Sequence, residues 1–344
     1  MVDLPPDPIS MTIQIMTSPL FLKIAIFPGL ASIGIIAALL TWLDRKITAR
    51  VQLRIGPQYV SPLGGILQSF ADLIKLAFKE LIIPEKADRF FFLLAPIFGM
   101  VLGAGLIGLI PFSPETLISN LEVGLPVFLA FVTLSPTLVL LAGWSANSKY
   151  PFIGGLRSLF QQTGYEIPLW LSSIGVVMMA GSFNLSKIVQ AQSTGYVLFG
   201  VHWWFIVPQI LGAIIFLVTS VAEQERIPFD LPEAEPEIIM GWQAEYPGFL
   251  FLAAQGAGFI KLYAFSALFT TIYLGGYLGP GPLPPLFWSI FKTTVMVVVV
   301  ILLRGAFGRV RLDQLLRYGW TLLLGLAIAN IAITYFLIEG IPAI

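Results

Sequence analysis

Apolar residues in this chain come in long unbroken runs, not in the short alternating or helical stripes of a soluble domain. Eight runs approach or exceed the roughly 20 apolar residues that a helix needs to cross a bilayer. They lie near 21–43, 90–112, 124–146, 164–184, 202–222, 247–275, 286–306 and 317–338. A spanning backbone must satisfy its own hydrogen bonds, and the alternation of a membrane β-barrel is missing, so each run is predicted to be a helix. The expected fold is an all-α integral membrane protein with about eight transmembrane helices, organised as one membrane domain over 1–344. No internal repeat is visible, so the inverted-repeat signature of many transporters is missing.

One segment breaks the pattern. In 63–80, LGGILQSFADLIKLAFKE, Leu63, Ile66, Leu67, Phe70, Leu73, Ile74, Ala77 and Phe78 share one helical face. Gln68, Asp72, Lys75 and Lys79 share the other. That is an amphipathic helix expected at the cytoplasmic membrane surface, within a loop over 44–89. Its polar face is either solvated or lines a cavity that a lipid-like ligand enters from the bilayer.

Composition supports the membrane reading: 57% of residues are hydrophobic and 11% charged, with net charge +0. Of the 19 Lys and Arg residues, fifteen fall on one side of the predicted spans, eight of them between Arg45 and Arg89. The positive-inside rule then puts the charged loops in the cytoplasm and both termini outside, in a multi-pass protein of the cell membrane. The acidic, Pro-rich start, MVDLPPDPISM, lacks the basic region of a signal peptide, so the first run is expected to be a retained helix. With no cysteine, the chain offers no thiolate for an iron–sulfur cluster and no disulfide. His202, beside Trp203 and Trp204, reads as an interfacial residue, and no metal site is expected.

The densest chemistry is AEQERIPFDLPEAEPEIIMGWQAEYPG, 222–248. Glu223, Glu225, Asp230, Glu233, Glu235, Glu237 and Glu245 are offset only by Arg226. Ile, Phe, Leu, Met and Trp are interleaved with them, and Pro228, Pro232 and Pro236 recur every four residues. A stiff, half-buried acidic loop over 223–246 fits better than a solvated one. Crowding and burial push carboxylate pKa values up and make them titrate as a group. Glu166, opening an apolar run, fits a proton-pathway residue, since an acid at membrane depth faces a bundle interior, a wet cavity or a partner. Glu122, Lys261 and Lys292 are further candidates, against snorkelling or structural pairing for the two lysines.

These stretches carry a family. LDRKITARVQLRIGP (43–57), LQSFADLIKLAFKE (67–80), AGWSANSKYPFIGGLRS with Tyr165-Glu166, ERIPFDLPEAEPE with Glu245-Tyr246, and RLDQLLRYGW (311–320) resemble the H subunit of NADH-quinone oxidoreductase, known as subunit 1 in respiratory complex I. The resemblance implies a membrane component that docks a peripheral redox arm and shares a quinone chamber with it, the quinone being the substrate. It implies Arg45, Arg54 and Asp72 near the quinone entrance, and Glu166, Glu223, Glu225, Glu233, Glu235, Glu237 and Glu245 as an acidic path coupling quinone reduction to proton translocation. The implied partners are peripheral-arm iron–sulfur and quinone-site subunits, small membrane subunits, antiporter-like pumping subunits and membrane lipid, with no nucleic acid. Against the usual pattern, EIIMGWQAEYPG, SLFQQTGYE and Asn120 are departures. They keep open the equivalent component of an energy-converting hydrogenase or of a ferredoxin- or coenzyme F420-linked complex. A stand-alone ion-coupled transporter and a structural anchor are the readings from other classes.

Overall fold

A computed structural model of the chain describes residues 18–61, 64–194, 196–198 and 201–339. The N-terminal reading over 1–11 and Leu63 of the surface helix lie outside the described residues, as do the side chains of His202 and Glu235.

Among the described residues the regular structure is helical, apart from one short hairpin. In order it forms α1 (Pro19–Ala25), α2 (Leu30–Val51), α3 (Leu67–Ala77), α4 (Arg89–Gly108), α5 (Gly124–Ser145), α6 (Lys149–Ala180) and α7 (Leu185–Thr194). A hairpin of β1 (Tyr196–Leu198) and β2 (Val201–Trp203) pairs antiparallel, with Tyr196 opposite Trp203. Then come α8 (Ile210–Glu223), α9 (Glu235–Ile238), α10 (Gly248–Tyr273), α11 (Pro285–Ala306), α12 (Leu312–Tyr318) and α13 (Leu324–Glu339). A π-helical turn, Gly319–Leu323, joins the last two.

Among the described residues, six segments are long and apolar enough to cross a membrane, with α1–α2 and α12–α13 each counted as one. A seventh is the pair α6–α7, bent by 55°. The eighth expected span is shorter than its apolar run. Over 202–222 only Ile210–Glu223 is helical, 14 residues. At 1.5 Å per residue this is about 21 Å, against the ~30 Å of a hydrocarbon core. Pro208 has no amide hydrogen to carry a helix through Trp203–Val207. The end of the hairpin, which the all-helix expectation did not contain, and a turn over 205–209 take up most of the difference.

Helix α6 departs in the other direction. It starts at Lys149, fifteen residues before the apolar run, and its 32 residues extend about 48 Å. Pro151 falls in the first turn, where no intrahelical donor is needed. Gly154 and Gly155 are packing contacts, not breaks. A Cβ on Gly154 would stand 2.7 Å from the Trp242 backbone nitrogen, and one on Gly155 2.8 Å from Leu140 Cα. Near its middle α6 crosses the π turn, where a Cβ on Gly319 would lie 1.8 Å from the Gly164 carbonyl oxygen. Tyr165 and Glu166 follow directly.

The core centres on α10, whose residues from Ile260 to Tyr273 are all buried. Phe265, Phe269 and Tyr273 surround Phe216 of α8 at ring distances of 6.4, 6.2 and 5.8 Å. The surface helix α3 packs on α2 and α10. Its apolar face points outward, with Leu67, Ile74 and Phe78 exposed, while Ser69 is buried and Asp72 half-buried. That orientation suits a helix lying against lipid or another subunit.

Candidate functional site

A cavity of about 330 Å³ opens where α2, α4, α5 and α10 meet the acidic loop. Its apolar wall follows from residue size. Ala95, Gly99 and Gly103 recur every four residues on one face of α4, and Ala254, Ala257 and Gly258 face them from α10. Small side chains keep the helices close, and a Cβ on Gly103 would lie 2.9 Å from Ile260 Cγ2. Phe131, Val132, Leu138 and Val139 of α5 complete this wall.

The other end is charged. Helix α2 continues past its apolar stretch, and Thr41, Asp44, Arg45 and Thr48 line the cavity from its last turns. Asp44 is 3% exposed. Arg304, in the last turn of α11, donates to it, and Arg226 Nη1 stands 3.6 Å away. The Arg226 guanidinium also lies 4.7 Å over the Phe259 ring. Four arginines, Arg45, Arg54, Arg226 and Arg304, thus line the cavity around Asp44 and the acidic loop, and Lys261 lines it further along α10, three residues past Gly258.

The acidic loop folds over this end. Ser158 donates to Glu225, and Arg309 Nη2 holds Asp230 at 2.7 Å. Gln243 donates to Glu233 and accepts from Gln255 Nε2 at 2.9 Å. Gly241 makes this possible. It sits at φ 53°, and a Cβ there would meet the Pro232 carbonyl oxygen at 1.8 Å. Burial pushes the Glu225 carboxyl up, against the opposing pull of Lys261. Burial, reinforced by Asp230 and Glu225, carries Glu233 from the usual 4.5 to about 8.

Folded Glu233 thus keeps its proton where the unfolded chain has lost it. The native state binds more protons between about pH 4.5 and 8, so stability falls as pH rises through that window. Glu233→Gln should flatten this fall, measured as the thermal midpoint of the purified complex from pH 5 to 8.

Of the residues expected from the sequence, Arg45, Arg54, Glu225 and Glu233 line the cavity. Asp72 joins it through Arg45, at 2.5 Å. Glu223 does not line it. It is 1% exposed and pairs at 2.8 Å with Lys261, whose ammonium also bonds Ser135 Oγ at 3.1 Å on the cavity wall. The Tyr165 hydroxyl stands beside the same carboxylate, and Glu166 is within its electrostatic reach. Glu237 is exposed and pairs with Arg157, and Glu245 is exposed. Two further candidates lie elsewhere. Glu122, just before α5, pairs with Lys187 at 2.8 Å, at the end of α5 away from the cavity. Lys292 forms no ion pair among the described residues. It donates to the carbonyls of Leu274, Gly276 and Leu278 and lies 3.8 Å over the Trp204 ring, capping the C-terminal end of α10.

Asp44, Arg304, Ser135, Gln243 and Gln255 were missed. Asp44 carried a signal, since an acid between two threonines at helical spacing continues the α2 face. Arg304 carried none, being 260 residues away in sequence.

Residues 24–335 match the family model described as NADH dehydrogenase. The H subunit of NADH-quinone oxidoreductase from Methylococcus capsulatus is 43% identical over 307 residues, 89% of this chain and 94% of the relative. The proteins of the same name from Geobacillus kaustophilus and Dehalococcoides mccartyi are 39% and 40% identical, over 92% and 88% of this chain and 96% and 83% of theirs. The chain belongs to the family of H subunits of NADH-quinone oxidoreductases, as a multi-pass membrane component of that enzyme complex.

Proposed function

We propose that the cavity is this chain's share of a quinone chamber, completed by peripheral-arm iron–sulfur and quinone-site subunits, and that the carboxylates beside it couple quinone reduction to proton translocation. The observation that carries the reading is the cavity's polarity. An apolar wall of small residues leads to an end lined by four arginines and by Asp44, Glu225, Asp230 and Glu233. This suits an amphiphile with a long apolar tail and a polar head group. The relatives' shared name points to the same substrate class, and none of those quoted favours a hydrogenase.

The chain's residues would act by charge. Arg45, Arg54 and Arg226 favour negative charge in the cavity. Glu233, holding a proton near neutral pH, releases or retains it as that charge changes. From Glu223 the path continues to Tyr165 and Glu166 and on towards antiporter-like membrane subunits. The basic loops put the charged end in the cytoplasm. The same path includes Glu235, with Glu237 and Glu245 as surface members at the contact with the peripheral subunits.

Arg45→Met tests the chamber. Arg45 is half-exposed and paired with Asp72, so the loss is modest, roughly 1 kcal/mol or several-fold in KM for quinone. Reduction of a water-soluble artificial acceptor by the same complex should not change. An unaltered KM for quinone would count against the assignment.

A further inference from the structure

Two lysines lie inside spans, and the structure separates them. Lys292 spends its ammonium on three backbone carbonyls and an indole face, at the end of α10 away from the cavity. Lys261 lines the cavity and bridges two side chains, Ser135 on the cavity wall and Glu223 behind it. Lys261 thus touches both: it lines the cavity, and Glu223, which pairs with it, does not. A carboxylate this deeply buried stays ionised only while a cation faces it. Lysine is a compact charge on a flexible four-carbon stem, so it can change partner without moving its helix.

We propose that Lys261 is a positioning residue that ties the charge in the cavity to the protonation of Glu223, an inference that rests on the reading of the cavity as a quinone chamber. With a neutral occupant the ammonium stays on Glu223 and keeps it ionised. Negative charge arriving in the cavity competes for the ammonium by the same Coulomb attraction and draws it towards Ser135. Glu223 then loses its counter-charge and binds a proton. That proton comes past the Tyr165 hydroxyl from Glu166, which is left ionised. When the cavity charge is neutralised, the ammonium returns to Glu223 and the proton passes back. No covalent bond of the occupant is involved.

The test compares Lys261→Met, Lys261→Arg and the double variant Lys261→Met with Glu223→Gln, each in the assembled complex in native membranes. Lys261→Met should lower quinone-linked turnover roughly tenfold, a typical size for coupling between two sites. Reduction of a water-soluble artificial acceptor should be unchanged, and Lys261→Arg, which keeps the charge, should return most of the turnover. Turnover is expressed per assembled complex, which separates this role from a structural one. If the pair only stabilises the fold, Lys261→Met lowers the amount of complex and leaves the turnover of what assembles unchanged. If it gates Glu223, turnover per complex falls. The double variant is compared with Glu223→Gln alone, since a residue that acts through Glu223 adds nothing once that carboxylate is gone. Should Lys261→Met fail to assemble, the double variant leaves no unpaired buried charge and carries the test by this comparison. Normal turnover per complex in Lys261→Met, or a double variant slower than Glu223→Gln, overturns the inference. Binding of an azido-quinone to this chain is measured on the same membranes. Its absence in the unaltered complex would sink the chamber reading itself, whereas binding together with normal Lys261→Met turnover sinks only the role of Lys261.

Discussion

Replacing Asp44 with asparagine is expected to destabilise the protein more than any other single neutralisation around the cavity. Asp44 is the shared counter-charge of Arg226 and Arg304, which come from the acidic loop and from the end of α11. Its side chain is 4% exposed and that of Arg226 11%. Removing one partner of a buried pair leaves an uncompensated charge and costs about 3–5 kcal/mol. Arg304 is 35% exposed, and water reaching it puts the expected loss near the low end, about 3 kcal/mol. The two guanidiniums would also repel across the vacated position. Thermal unfolding of the purified complex and the amount of this chain retained in membranes are the measurements. Asp44→Asn combined with Arg304→Met should recover part of the loss. Asp72→Asn is the contrast, since its pair with Arg45 is 30% and 48% exposed and is worth at most about 1 kcal/mol.

The second large effect is expected at Gly241. An alanine there must adopt a left-handed backbone, which costs about 1–2 kcal/mol. Its Cβ would also stand 1.8 Å from the Pro232 carbonyl oxygen, so the segment from Pro232 to Gly241 must open. Overpacking of this kind adds about 1–3 kcal/mol. Glu233, Gln243 and Trp242 would leave the cavity wall together, because all three are placed by this contact. A lowered thermal midpoint should therefore come with loss of the pH dependence assigned to Glu233. Gly256→Ala, in α10 with nothing within 4 Å of the added carbon, should be neutral or slightly stabilising. Equal behaviour of the two variants would show that the Pro232–Gly241 contact does not hold the loop.

These two sites also mark the boundary between what the sequence makes legible and what helix packing decides. Spans were legible because bilayer thickness sets the length of an apolar run, and α4, α5, α10 and α11 lie close to their expected limits. Composition does not show where a helix begins outside the membrane, so α6 was placed fifteen residues late. Its Gly154 and Gly155 are sites of close packing with Trp242 and Leu140. The run over 202–222 failed for the opposite reason, since hydropathy does not register Pro208 or a hairpin. In the acidic loop, carboxylates interleaved with apolar residues correctly suggested burial, and Glu225 and Glu233 line the cavity. Which acid lies deepest was not legible. Glu223 is set behind Lys261, while Glu237 and Glu245 are exposed, and nothing in their spacing separates them. Partners far apart in sequence, such as Asp44 and Arg304, are fixed only by helix packing.

The proposed quinone site lies in the cavity between α4, α5 and α10. The chain has no cysteine, so a single introduced thiol is the only one on it. Ser135→Cys changes a cavity-lining hydroxyl to a thiol of nearly the same size, and Ile97→Cys places one on the exposed face of α4. The measurement is the rate at which a small maleimide alkylates each thiol in the assembled complex, with and without a short-chain quinone. Quinone should slow alkylation of Ser135→Cys and leave Ile97→Cys unaffected. Equal rates at Ser135→Cys with and without quinone would mean that no quinone occupies this cavity.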